Sequence, residues 1–165
     1  MLQLKSGEKE MNKTAYVALG SNIGGGEENI KSAVSALGLV PGVRVEKLSR
    51  IYETTPWGYE AQHNFTNACV KLAVGISPEA LLGVCLGIEA GMGRIREFRN
   101  GPRIIDLDLI IYEGEERNTE ELKLPHPGMK DRDFVLVPLM DVADDALKAE
   151  IAGYIDNLSE HYIIK

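Results

Sequence analysis

Cysteine is scarce in this chain: there are two, Cys69 and Cys85. That excludes a disulfide framework, a thiolate zinc site and a Cys-x-x-Cys redox pair. Both fall in periodic apolar segments, so buried free thiols are expected, which suits a reducing cytoplasm. Positive charge is also short. Eighteen Lys and Arg against 25 Asp and Glu leave a net charge of −7, which disfavours a nucleic-acid coat or anionic-membrane binding. No apolar run approaches the roughly 20 residues of a membrane-spanning helix. The first dozen residues have no apolar run, so no secretion signal is expected. Repeats, linkers and low-complexity stretches are missing too. What remains is 165 residues, enough for one domain with a real core. That domain is expected over 14–165, behind a loose tail at 1–13 in which Met11 is an alternative start.

The most informative stretch runs from Gly101-Pro102-Arg103 to Tyr112. From Ile104 on it is β-branched, Leu or aromatic, apart from Asp106 and Asp108, and reads as a buried strand. Side chains alternate across a strand, so Ile105, Leu107, Leu109 and Ile111 share one face. Ile104, Asp106, Asp108, Ile110 and Tyr112 share the other. The two carboxylates then point the same way, with Cα atoms about 7 Å apart by the rise of a strand. Like charges on an apolar-flanked face are costly, because each raises the other's pKa and both resist leaving water. Divalent cations relieve both penalties, and Mg²⁺ is commonly held by one or two carboxylates with phosphates and water. A strand with one wet face and solvated acids is the alternative.

Taken in order, Thr14 to Leu19 is a strand stopping at Gly20-Ser21-Asn22. Ile30, Ala33, Val34 and Leu37 recur at helical spacing, with Gly38 placed to end the helix. Val43 to Glu53 reads as one long strand, 54–64 as a loop, and Phe65 to Val74 as a strand whose core face is Ala68, Val70, Leu72 and Val74. Ser77-Pro78-Glu79 starts a helix by N-cap, first-position Pro and first-turn acid. The order β-α-β-β-α-β is the split βαβ, or ferredoxin-like, arrangement. The fold class is α+β: an antiparallel sheet with helices on one face, plus a C-terminal extension. That extension comprises a hairpin or loop (113–124), a Pro125-His126-Pro127 turn, an apolar segment (134–143) and a last helix marked by Ile151, Tyr154, Ile155 and Leu158.

Two clusters stand out. Arg94, Arg96, Arg99 and Arg103 crowd one ten-residue loop running into the acid pair, with His126, Lys130 and Arg132 downstream. Guanidinium forks fit phosphate oxygens, and phosphoryl transfer needs cations where charge develops. A solvated basic loop balanced by Glu89, Glu97 and Asp106 is the alternative. Thr54, Thr55, Trp57, Tyr59, Phe65 and Asn67 combine hydroxyls, ring faces and an amide, the means of holding a flat heterocycle. The alternative is a hydrophobic loop tip.

Ala18 to Asn22, Tyr52 to Gly58, Phe65 to Ala68, Glu89 to Arg96, Gly101 to Asp108 and Pro125 to Met129 together resemble the 6-hydroxymethyl-7,8-dihydropterin pyrophosphokinases of folate biosynthesis. The likeness spans about residues 14–143. It implies that ATP, as co-substrate, gives its terminal two phosphates to the pterin hydroxymethyl oxygen, releasing AMP. It implies two Mg²⁺ held by Asp106 and Asp108, with Arg94 and Arg103 bracing the triphosphate beside them as catalytic groups. Arg96 and Arg99 would close from the loop, His126 and Arg132 would contact phosphates, and Glu89 would sit near the nucleotide. The pterin would lie between Phe65 and Phe134, its edge read by Asn67 and the Thr54–Thr55 backbone, with Trp57 nearby. Small molecules are the implied partners, without nucleic acid or membrane, in the cytoplasm; contact with other folate-pathway enzymes is left open. Three departures stand out. Asn100 occupies a place where the family commonly has Trp, for which Phe98 is a candidate substitute. Thr55 stands where a second Pro is frequent, and the Arg loop is slightly short. Two rival classes are a ferredoxin-like binding module without chemistry, and a two-metal nucleotidyl transferase or cyclase, which would release pyrophosphate.

Overall fold

The computed structural model describes residues 10–93 and 101–165. The central strand is β1, Lys13–Ser21. Its Ala15, Val17 and Leu19 face one side, Tyr16 and Ala18 the other, and both sides meet apolar neighbours. On one edge of it runs β4, Phe65–Val74, with β2, Val43–Leu48, and β3, Tyr52–Thr54, both paired beyond it. On the other edge runs β5, Asp106–Tyr112. Every pairing is antiparallel.

Helix α1, Gly26–Gly38, buries Ile30, Ala33 and Leu37, the expected stripe. Helix α2, Pro78–Gly91, starts where Ser77 accepts the Ala80 N–H at 3.1 Å. Its Leu81 and Cys85 join α1 and the Val17, Leu19, Val70 and Leu72 face in one core. Fully burying each such Leu contributes roughly 1.5–3 kcal/mol. A short hairpin follows: β6, Arg117–Asn118, and β7, Lys123–Leu124.

Three sequence expectations are corrected. Helices do not occupy one face only. The extension forms α3, Asp133–Val142, and α4, Asp145–Asp156. They pack Leu136, Leu139 and Ile151 on Tyr16, Cys69 and Ile110 of the opposite face, because that face is apolar too and must be covered. Pro138 sits inside α3 despite the hydrogen bond it removes, since burial of Leu136 and Leu139 outweighs local propensity. Second, the strand expected over 43–53 is broken at Ser49. The Ser49 hydroxyl accepts the Cys69 N–H at 2.8 Å in place of a backbone carbonyl, and Arg50 N–H turns away to Asp141 at 3.2 Å; the ladder resumes at Tyr52 opposite Asn67. Third, β5 starts at Asp106, not Ile104, and its alternation slips. A bulge opposite Tyr16 and Val17 leaves Ile110 on the α3–α4 side as expected, but turns Ile111 to that side too and Tyr112 toward the α1–α2 core. Bulges insert one residue and exchange the faces beyond it.

Candidate active site

The slip leaves Asp106 and Asp108 unaffected, because it falls beyond them. Asp108 pairs with Ala18 and Asp106 with Gly20 across β1; Gly20 in turn pairs with Asn67 of β4. At this end the second face of the sheet is left uncovered, and a cleft opens above it. Its lining includes Ala18, Gly20, Thr54, Thr55, Trp57, Phe65, Asn67, Arg103, Asp106, Asp108, Arg132 and Phe134. The cavity is about 200 Å³ and partly open to solvent. A Cβ at Gly20 would come within 2.9 Å of Asn67 Oδ1, so glycine there lets the amide lie across the floor. Asn67 Nδ2 donates to the buried Thr54 hydroxyl at 2.6 Å.

A second groove borders the edge strand. Leu82, Leu86, Glu89, Leu107, Leu122, Lys123 and His126 are among its walls, and it meets the cleft at Asp106 and Asp108. Glu89 is buried, and its Oε1 accepts the Leu107 N–H at 2.8 Å, holding the edge strand between the two acids. His126 Nδ1 accepts the Gly128 N–H at 3.1 Å, which places the neutral ring's proton on Nε2. Burial first, then Arg132, holds His126 below the ordinary histidine range, with Asp106 opposing. It is therefore neutral at pH 7.

Arg103 Nη1 donates to Asp106 at 3.1 Å, and its guanidinium lies over the Phe65 ring at 5.0 Å. The Arg132 guanidinium lies over Trp57 at 4.3 Å. A Cβ on Gly128 would meet its Cζ at 2.7 Å, so a side chain there would push the guanidinium aside. Burial pushes the Asp108 carboxyl well above the usual range, reinforced by the charges of Asp106 and Glu89 and opposed by Arg132 and Arg103.

The expected pterin residues Thr54, Thr55, Trp57, Phe65, Asn67 and Phe134 thus share one cleft with Arg103, Arg132 and both aspartates. Glu89 and His126 face the adjoining groove. Arg94, Arg96, Arg99, Phe98 and Asn100 lie outside the described residues. The Thr55 N–H donates to Tyr162 O at 2.8 Å, which leaves its carbonyl as the backbone group that can face the cleft.

Two features escaped sequence reasoning. Asn22 is a node: its Oδ1 accepts the Arg103 N–H at 2.9 Å, its N–H donates to Arg103 O at 3.1 Å, and its Nδ2 donates to Gln62 and His63 at 2.8 and 3.1 Å. The Gly20-Ser21-Asn22 strand end was its one signal. The other is residues 160–165, which carried no motif.

Two carboxylates and two guanidinium groups at the meeting of an aromatic cleft and a second groove define a class, a small-molecule transferase on a mixed α/β frame. The chain belongs to the 7,8-dihydro-6-hydroxymethylpterin-pyrophosphokinase (HPPK) family, whose model matches residues 16–144. It is 48% identical over 131 residues to a 2-amino-4-hydroxy-6-hydroxymethyldihydropteridine pyrophosphokinase of Methylorubrum extorquens, covering 79% of this chain and 83% of that one. A protein of the same name from Bacillus subtilis is 43% identical over 146 residues, 88% of this chain and 87% of that one. Among solved structures, an HPPK-DHPS complex with substrates aligns with TM-score 0.63 at 15% identity, covering 88% of this chain and 44% of that chain. The Plasmodium falciparum HPPK-DHPS triple mutant aligns with TM-score 0.61 at 14% identity, over 87% of this chain and 43% of its own. At such identities these structures attest the fold alone. No helix among the described residues is long and apolar enough to cross a membrane.

Proposed function

We propose that this protein transfers the terminal pyrophosphoryl group of ATP to the hydroxymethyl oxygen of 6-hydroxymethyl-7,8-dihydropterin. The products are AMP and the pterin diphosphate ester, in the folate pathway of the cytoplasm. One observation carries the reading: Asp106 and Asp108 line both the aromatic cleft and the groove beside His126. A ring substrate in one and a nucleotide in the other would meet at the acids. The family resemblance supplies the identities of the two substrates. Residues 14–165 are read as a single domain, and the sheet order β2-β4-β1-β5 as the ferredoxin-like arrangement.

The donor set fits Mg²⁺. Carboxylate oxygens suit a hard cation, and burial of Asp108 beside a second acid is a cost that a cation removes. No group of three or more His, Cys, Asp or Glu suited to a metal occurs among the described residues, so water and phosphate would complete the coordination. Two Mg²⁺ held by Asp106 and Asp108 would neutralise phosphate charge and acidify the attacking hydroxyl.

The protein's own groups then have separate tasks. Phe65 and Phe134 flank the heterocycle, and Asn67 reads its edge. Arg103 and Arg132 face the developing phosphate charge, where preorganised cations are most effective. The His126 Nε2–H donates to phosphate from the groove side. The resemblance assigns Arg94, Arg96 and Arg99 to the same phosphates, and exclusion of water from the site would favour transfer over hydrolysis. No activated Ser or Cys is required, so transfer is direct, in line on the β-phosphorus. The test is incubation with ATP, Mg²⁺ and 6-hydroxymethyl-7,8-dihydropterin. AMP should appear one for one with the pterin diphosphate; pyrophosphate release, or no AMP, overturns the reading.

A further inference from the structure

We infer that residues 160–165 form a strap that positions the heterocycle end of the cleft, with Tyr162 as its positioning residue. The inference rests on reading that cleft as the pterin site. The cleft's two walls come from distant parts of the chain, Thr54–Thr55 from the end of β3 and Phe134 from the start of α3. The strap lies on both.

On the β3 side it continues the sheet. Ile164 N–H donates to Glu53 O at 2.8 Å, Glu53 N–H to Lys165 O at 3.1 Å and Thr55 N–H to Tyr162 O at 2.8 Å, with Thr54 bridged to Ile163. On the α3 side Asp133 holds it. That carboxylate is 3% exposed, and its Oδ2 accepts the Tyr162 N–H at 2.7 Å and the Ile163 N–H at 3.1 Å. Bonds from backbone N–H groups to a buried carboxylate are among the stronger ones. Asp133 directly precedes Phe134, and the Tyr162 ring meets the Phe134 ring edge-on, 5.7 Å between centroids at 85°. One residue therefore fixes Thr55 by its carbonyl, Asp133 by its N–H and Phe134 by its ring. The family match ends at residue 144, so Tyr162 lies outside the matched part of the chain while the residues it holds lie within it. The phosphate-facing groups are held elsewhere, Arg103 by Asn22, His126 by Gly128 and Arg132 by its stack on Trp57. The strap should act on the ring substrate and not on the nucleotide.

Tyr162→Ala tests this, with Tyr162→Phe as the variant that keeps the ring. In Tyr162→Ala the KM for 6-hydroxymethyl-7,8-dihydropterin should rise roughly fivefold, about 1 kcal/mol. The KM for ATP and kcat should change less than about twofold, and Tyr162→Phe should restore the native KM. Amide exchange at Thr55 should quicken in Tyr162→Ala and not in Tyr162→Phe. An unchanged pterin KM, or equal losses for both substrates, overturns the assignment, as does unchanged Thr55 exchange. If the unaltered protein forms no AMP, the substrate reading fails, and Thr55 exchange still decides whether the strap holds the wall.

Discussion

Asp108 is the residue with most to lose from its surroundings. Burial and two acidic neighbours oppose its charge, and among the described residues Arg132 and Arg103 favour it. A side chain that costs stability where it stands is a mark of a functional site. Asp108→Ala should lower AMP formation by on the order of 10²–10³-fold, with an unchanged circular dichroism spectrum and no loss of melting temperature; near-native turnover would remove the acid pair from the mechanism. Trp57 offers a second reading at this scale. It is the protein's single tryptophan, and Arg132 stacks on it, so its emission reports that contact without a label. Arg132→Ala should shift or brighten it, and Arg132→Lys should not restore the native spectrum, because an ammonium lacks the planar face that stacks. Identical emission in all three proteins would mean the stack is not populated. The aspartates were legible because strand alternation is local. Asn22 was not, since its partners Gln62 and Arg103 lie 40 and 81 positions away.

At the scale of elements, periodicity found α1, α2, β4 and the cap at Ser77, where local chemistry and burial agree. It failed where a side chain displaced the ladder, at Ser49, and where a bulge exchanged the faces of Ile111 and Tyr112. Neither has a sequence signature of its own, because both depend on what lies opposite. The break at Ser49 also creates a lock. Asp141 of α3 accepts from Arg50 and from the Tyr52 hydroxyl, the latter at 2.7 Å, joining the second helical layer to the sheet. Burial alone would raise the Asp141 carboxyl, but the Arg50 and Tyr52 bonds outweigh it and hold it below the usual range. The unfolded carboxyl takes a proton near pH 4, at about its model-peptide value, and the folded one only at lower pH. The lock's contribution is therefore present above that value and fades as pH falls through the folded pKa. Asp141→Asn should melt below the unaltered protein at about pH 6, and the gap should narrow as pH is lowered below about 4. A melting-temperature gap that does not narrow in acid would exclude the charge as its source.

Across the whole molecule, one sheet carries two apolar cores, and each holds one cysteine: Cys85 with α1 and α2, Cys69 with α3 and α4. Burial pushes both thiols up, Cys85 to about 12, so neither should react with a thiol reagent at pH 8 in the folded state. In rising urea, labelling resolved by peptide mass should show both becoming reactive at one midpoint, because the layers share β1, β4 and β5. Separate midpoints would make the α3–α4 layer an independent unit. The helices α1 and α2, the strand β4, the acid pair on one face and the family were determined by the sequence alone, since each rests on spacing along the chain or on contiguous motifs. Tertiary structure alone decided that the C-terminal helices roof the second face, that Asn22 ties three loops together, and that Tyr162 braces Phe134 and Thr55. Those are contacts between residues far apart in sequence, and their energy comes from apolar surface and hydrogen-bonding groups that find each other only once the sheet has formed.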